Sequence, residues 1–382
     1  MKLIRFLEDH PNDWNSRLGD RRVKVSFGAG KYNGLALFKY DILADFTDPI
    51  VKECRGVILD ITDFDNIRVV CRPFDKFCNY GERGADKIDW STAKVQDKID
   101  GSIMKLFYWK GEWCKATNGT IDAYTAKVGS YGQNFGDLFD KAFEEAHPRY
   151  AALDIRYTYI FELTSPFNRV VVDYGQGLDL WHLGTRNNVT GEEVYQFIGI
   201  KQPDEYDFTT LDECIEAARN LNISGELIQK EGFVVVDGDY HRIKIKSPEY
   251  VMIHHIIPNG EVSDEKLVEL IRNGEVDELL VYVPSLETRV NNITYRIDRM
   301  HKRLDDYYSI CRNEIAEMNS TYPDIEKPYI RKDFAIKHQH DPFFPMAMKY
   351  LFDHKKLNLD DLSNKKYLEL MKKSEQFFGG DV

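Results

Sequence analysis

The sequence predicts an α+β protein: an N-terminal region built on antiparallel sheets, then an all-helical C-terminal domain. Three observations carry this. Between about residues 92 and 255, aromatic and β-branched runs are broken by turn dipeptides, the texture of short paired strands. Within that stretch "EGFVVVDGDYHRIKIK" sets Asp-Gly between two alternating runs, a strong local hairpin signal. From about residue 258 the texture turns helical, and Val290, Ile293, Ile297, Met300, Leu304, Tyr307 and Cys311 recur at alternating steps of three and four. Three segments result: 1–90, 91–255 and 256–382.

Taken in order, residues 1–90 read as short strands and loops, including "RGVILDI" and "IRVVCRPF". "SIMKLFYW", "KG" and "EWCKAT" then form a hairpin, and "AYTAKVGSYGQNFGDLFDKAFEEAH" reads as a loop entering a helix. "YTYIFELTSP" and "VVVDYG" are expected strands, and "LDLWHLGTRNNVTGEEVYQ" is a hairpin closed by a polar turn. In the helical segment Arg289, Arg296 and Arg303 fall seven apart beside the apolar seam. They are either a solvated helix face or a ridge facing RNA.

Composition bounds the function. At 382 residues, 43% of them hydrophobic and 13% aromatic, the chain has material for a sizeable core. It contains no apolar run of the roughly 18 residues that a membrane span needs, and "MKLIRFLEDHPNDW" lacks the apolar stretch of a signal peptide, so a cytoplasmic, membrane-free protein is expected. Cysteines 54, 71, 78, 114, 214 and 311 show no Cys-x-x-Cys spacing and read as reduced and structural. A net charge of −12 excludes nucleic-acid binding through a uniformly basic surface and confines any polyanion site to a concentrated patch.

One stretch suggests chemistry. "DKIDGSIMK" places Lys98 before Asp100-Gly101 at the mouth of a strand. Lys-x-Asp-Gly alone arises by chance in roughly one chain in ten of this length, and its plain meaning is a surface ion pair beside a turn. In the later hairpin, a two-residue Asp237-Gly238 loop sets Glu231 opposite Lys244, and a four-residue loop sets it opposite Lys246. Either way Glu231 joins Arg242, Lys244 and Lys246 on one face, with Ile243 and Ile245 on the other. The plain reading is a wet cross-strand ion pair. The same face also suits a nucleoside triphosphate, with lysines for phosphate and a carboxylate for the water shell of Mg²⁺. Cations around Lys98 would then favour the neutral, nucleophilic amine.

Read together and in order, "KIDGS", "FELTSPFNRVVV", "EGFVV" and "IKIKS" resemble the motifs of the covalent nucleotidyltransferase superfamily, which includes ATP-dependent polynucleotide ligases and mRNA capping enzymes. Upstream, "ECRGVILD" and "CRPFDKFCNYGE" are similar to the N-terminal signature of the T-even phage RNA ligases, the tRNA-repair branch. The resemblance covers roughly residues 35–255 and implies an adenylyltransferase domain of the nucleotidyltransferase, ATP-grasp-like ligase type. By that resemblance Lys98 is the adenylated nucleophile, and Asp100, Glu162 and Glu231 hold the water shell of Mg²⁺, for which Mn²⁺ can substitute. Lys244 and Lys246 contact the α-phosphate, Arg55 and Lys76 grip the β- and γ-phosphates, and Trp181 offers a face to adenine. Residues 1–90 contact the triphosphate and 256–382 supply RNA specificity. The implied activity is ATP-dependent joining of RNA 5′-phosphate and 3′-hydroxyl ends, with tRNA broken in its anticodon loop as substrate, by a monomer in the cytoplasm of a phage host.

Two alternatives stand beside it. A DNA ligase or capping guanylyltransferase would continue into an OB-fold, whereas the residues after Lys246 carry helical periodicity. A non-catalytic RNA-binding protein on the same fold would bind without label transfer to Lys98.

Overall fold

The computed structural model describes residues 1–41, 43–129, 132–222, 228–255, 262–282, 284–321, 327–353 and 359–378. The chain separates into two compact units, Met1–Ile256 and Ile257–Val382.

The first unit opens with α1 (Lys2–Asp9) and α2 (Trp14–Asp20), followed by β1 (Val23–Phe27), β2 (Leu35–Tyr40), α3 (Pro49–Glu53), β3 (Arg55–Asp60) and β4 (Arg68–Cys71). The four strands form one antiparallel sheet in chain order. Leu3, Phe6 and Leu7 of α1 bury against Phe38, Val57 and Leu59. Both helices were expected to be loop. At eight and seven residues they are too short to display a period, and such helices owe their stability to docking on a sheet.

The remaining strands are β5 (Cys78–Asn79), β6 (Lys94–Asp97), β7 (Ser102–Trp109), β8 (Glu112–Thr117), β9 (Lys127–Val128), β10 (Gln133–Asn134), β11 (Tyr157–Thr164), β12 (Asp179–Asn187), β13 (Glu193–Val194), β14 (Glu205–Tyr206), β15 (Gly232–Val236) and β16 (Arg242–Lys246). Helices α4 (Phe135–Glu145), α5 (Leu211–Asn220) and α6 (Pro248–His255) complete the unit. Two five-stranded sheets result, β13-β12-β11-β7-β8 and β14-β6-β15-β16-β5. One face of the first buries Met104, Phe161 and Leu163 against Leu138, Phe139 and Phe143 of α4. One face of the second buries Val95, Phe233, Val235, Ile243 and Ile245 against Cys214 and Ala218 of α5. The expected β7–β8 hairpin turns at Lys110-Gly111 with φ of 48° and 94°, a primed turn.

Two expectations are corrected here. "VVVDYG" is not a strand. The Val171 and Val172 amides instead donate to Asp100 Oδ2 at 2.9 and 2.8 Å, so they have no ladder to join. The β15–β16 hairpin has neither even-length register: Gly232 pairs with Lys246 and Val234 with Lys244. Its loop is Gly238-Asp239-Tyr240, with Tyr240 at φ 67° and Asp237 Oδ1 accepting from the Asp239 and His241 amides. That carboxylate stabilises the three-residue loop and thereby fixes an odd register.

The second unit contains α7 (Asp264–Arg272), α8 (Val276–Tyr282), α9 (Glu287–Thr321), α10 (Lys327–His338), α11 (Phe344–Phe352) and α12 (Asn364–Phe378). All seven apolar positions expected along α9 are buried. Arg289 pairs with Asp264, Arg296 with Glu375, and Arg303 donates to Ser374 O. The arginine row therefore fastens α9 to α7 and α12. All six cysteines are buried and unpaired. Among the described residues no helix is long and apolar enough to cross a membrane.

Candidate active site

The faces of the two five-stranded sheets that are not packed on α4 and α5 enclose a cavity. Gln96, Val234 and Lys244 line it from one sheet, Ile103, Glu162 and Leu183 from the other, Arg55 from the start of β3, and Phe74, Phe77 and Lys98 from connecting segments.

Lys98 follows β6, and its amide donates to Gly232 O at 2.8 Å, which continues the β6–β15 ladder by one step. This sets its side chain against Glu231: Nζ lies 2.6 Å from Oε2, while Oε1 is 3.1 Å from Lys246 Nζ. Burial raises the Glu231 carboxyl, but the two ammonium groups outweigh it and hold the group below the usual carboxylate range. Sequence reasoning surrounded Lys98 with cations; the structure sets a carboxylate against it. Gly232 makes this contact possible. In the odd register, alternation from Val234 would turn Glu231 toward the α5 core, but Gly232 takes φ 149° and breaks the alternation. A Cβ there would sit 2.2 Å from Ile245 O, so the position requires glycine.

Asp100 is buried with both oxygens engaged. Oδ2 accepts the Val171 and Val172 amides, Oδ1 accepts the Tyr250 hydroxyl at 2.8 Å, and its own amide donates to Tyr174 Oη at 2.9 Å. It ties the Lys98 loop to two other segments. Glu162 differs. It is buried on β11 opposite Ile103 and Trp181, and Arg169, the arginine a few residues on, pairs with Asp173 and not with it. Burial pushes its carboxyl up to about 8, Lys98 offsetting only part of the effect.

Among the described residues, no three carboxylate, histidine or cysteine side chains gather as a metal cage. With Glu231 held by two lysines and Asp100 by protein donors, Glu162 is the member of the expected trio that makes no ion pair among the described residues, although Lys98 and Arg55 act on it through space. A divalent cation fits there, because it would stabilise the buried carboxylate in its ionised form.

Arg55 stacks on Phe77 at 4.9 Å, and Lys244 lies 5.6 Å from the same ring. Lys76 sits over Phe46 at 4.5 Å and lines an adjoining cavity that shares Phe77 and Arg242 with the first. Trp181 is not among the cavity-lining residues. Its ring is covered by Lys201 Nζ at 3.8 Å and its Nε1 points to Thr164 Oγ1 at 3.4 Å. Leu183 lines the cavity instead, placed by a bulge in which Phe161 pairs with His182 and Ile160 with Gly184.

Two contributors, Leu183 and Lys105, were not singled out from sequence, and Arg242 was placed only on the basic face of the hairpin. Leu183 depends on that bulge, which leaves no local pattern. Arg242 lines both cavities and forms a bidentate pair with Glu193. Lys105 is wholly buried and donates to Gly56 O beside Arg55, with burial pulling its pKa down to about 8. A lone cation within the strand run "SIMKLFYW" was the available signal.

Residues 53–250 match the sequence model of a family described as RNA ligase. A protein of Autographa californica nuclear polyhedrosis virus, named as a bifunctional polynucleotide kinase/RNA ligase, is 36% identical over 262 residues, covering 64% of this chain and 36% of that protein. This chain thus spans about a third of that relative's length. An RNA ligase of Rhodothermus phage RM378 is 28% identical over 399 residues, covering 87% of this chain and 89% of its own. Among solved structures, an archaeal ATP-dependent RNA ligase is 13% identical, covers 71% of this chain and 78% of its own, and has a TM-score of 0.41.

Proposed function

This chain belongs to the RNA ligase family, and we propose that it joins RNA 5′-phosphate and 3′-hydroxyl ends using ATP, through AMP carried on Lys98. The observation that carries this reading is the convergence of Lys98, Glu231 and Lys246 within ion-pair distance, beside a cavity lined by Arg55, Glu162 and Lys244. Cations, an uncommitted acid and a glycine-dependent approach of Glu231 to lysine are what nucleotidyl transfer needs.

In the first step Lys98 Nζ, having given up its proton, attacks the α-phosphorus of ATP. A P–N bond forms, the bond to pyrophosphate breaks, and pyrophosphate leaves with the electron pair. Lys244 and Lys246 neutralise charge on the non-bridging oxygens, and Arg55 and Lys76 take the departing phosphates. Ile103, Leu183 and Val234 offer apolar faces to the base. Mg²⁺, or Mn²⁺ in its place, would be held by Glu162 and would supply further charge neutralisation. AMP then passes to an RNA 5′-phosphate, and a 3′-hydroxyl displaces it to seal the strand.

The finer reading assigns residues 1–90 to the triphosphate, 91–255 to nucleotidyl transfer and 256–382 to RNA selection. It takes tRNA broken in its anticodon loop as substrate and a monomer working in the host cytoplasm. Incubation with Mg²⁺ and ATP labelled on the α-phosphate, then denaturing electrophoresis, tests the core of it. Label on the wild type and none on Lys98→Ala is expected; no label with ATP on the wild type overturns it.

A further inference from the structure

The catalytic cavity does not end at Lys76. The adjoining cavity shares Phe77 and Arg242 with it, and in turn shares Lys2, Pro49 and Glu53 with an open groove along α1 that Arg5 and Arg72 also line. A row of three adjoining cavities therefore runs from Lys98 past Lys76 to α1.

The cations at the two stages of this path differ. In the middle cavity Lys52 pairs with Asp86, Arg186 with Asp75, and Arg242 with Glu193. In the outer groove none of Lys2, Arg5 and Arg72 makes an ion pair among the described residues, while Glu53 spends both oxygens on the Lys2 and Leu3 amides. Arg72 carries the most information. It is 8% exposed, its Nη1 donates to Val189 O at 3.2 Å, and its buried Nε has no acceptor. Gly191, at φ 79°, makes room for it, since a Cβ there would lie 2.5 Å from Arg72 Cζ. A guanidinium kept buried without a carboxylate, at the wall of an open groove, is suited to an incoming anion.

The reaction geometry supplies the direction. In the second step an oxygen of the RNA 5′-phosphate attacks the AMP phosphorus as the P–N bond breaks. Nζ departs with the bonding pair and takes a proton from water. In-line displacement requires the attacking oxygen to enter opposite Lys98, on the side from which pyrophosphate left. That is the Lys76 side. We propose that the α1 groove is the track of the donor strand, in which Lys2, Arg5 and Arg72 hold backbone phosphates of the nucleotides that follow the 5′-phosphate. This rests on the ligase reading above.

The test uses the full chain carrying Lys2→Ala and Arg5→Ala, both exposed positions, with Arg72→Gln as a separate variant. Three quantities are read: Lys98 labelling with ATP, AMP transfer to a 5′-phosphorylated oligoribonucleotide of about 12 residues, and AMP transfer to a 5′-phosphorylated dinucleotide. The double variant is expected to label normally and to transfer normally to the dinucleotide, which lacks the later backbone phosphates. Its KM for the long donor should rise about tenfold, and the salt dependence of long-donor binding should flatten by about 1.4 in log–log slope for two lost single-strand phosphate contacts. An unchanged KM for the long donor, or an equal loss on both donors, overturns the track. Absence of labelling in the wild type would instead overturn the ligase reading itself.

Discussion

The basic residues of the two units have different fates. In the helical unit Arg289, Arg296 and Arg303 stand in a regular row, the first two held by carboxylates on α7 and α12 and the third donating to a carbonyl of α12. In the first unit Arg55, Lys76 and Arg72 follow no period, and they rest on aromatic rings or backbone carbonyls without a carboxylate. Availability to phosphate is therefore set by pairing and not by spacing. An arginine already neutralised must give up a bidentate bond before it can bind a polyanion, whereas a cation stacked on a ring keeps its charge and its donors.

The sharpest break in this comparison is at Lys98, which, like Lys246, is paired to a carboxylate and yet assigned chemistry. Lys98→Ala should lose all label from α-labelled ATP, with thermal unfolding close to wild type; residual labelling would detach the chemistry from this pair. Next come the unpaired cations. Arg55→Ala and Lys76→Ala should each lower kcat/KM for lysyl-adenylate formation by about a hundredfold, about 2.7 kcal/mol of transition-state stabilisation. Arg289→Ala and Arg303→Ala should leave that rate alone, and equal losses in both sets would erase the distinction.

The uncommitted acid gives a smaller, pH-dependent effect. With its carboxyl at about 8, Glu162 is protonated at pH 7 in the absence of a cation, so metal binding must expel its proton. Affinity for Mg²⁺, followed by calorimetry, should rise about tenfold per pH unit up to about pH 8 and level off above it. Glu162→Gln should weaken binding and abolish the slope; a slope that persists in the variant would place the proton elsewhere. The smallest effect lies in the helical unit, where Arg296→Ala removes a half-buried pair with Glu375. It should lower stability by about 1 kcal/mol, read from chemical denaturation at low and high salt. No change would make the arginine row decorative.

Legibility followed the range of the forces involved. The long helix was visible because Val290 through Cys311 repeat over many turns, and the β7–β8 hairpin because Lys110-Gly111 fixes its own turn. The helices α1 and α2 and the loop at Val171 were not, since each depends on what it docks against. Among candidate residues, Lys98, Glu231, Lys244 and Lys246 were found through order and residue type and do converge on or beside the cavity. The protein partners of Asp100 and Trp181 were not legible, because a carboxylate's or an indole's partners come from segments distant in the chain.

The sequence by itself determined the inventory: which side chains can carry charge, which can attack phosphorus, and in what order the strands that bear them follow one another. Those are properties of covalent structure and short-range alternation. The tertiary structure decided the pairings. It set the odd register of β15 and β16, let Gly232 turn Glu231 onto Lys98, gave both oxygens of Asp100 to amides and a hydroxyl, and buried Glu162 more deeply than Lys98 and Arg55 compensate. Each of these is the outcome of competition among polar groups for partners in a buried volume, and that competition is settled only when all the competitors are present.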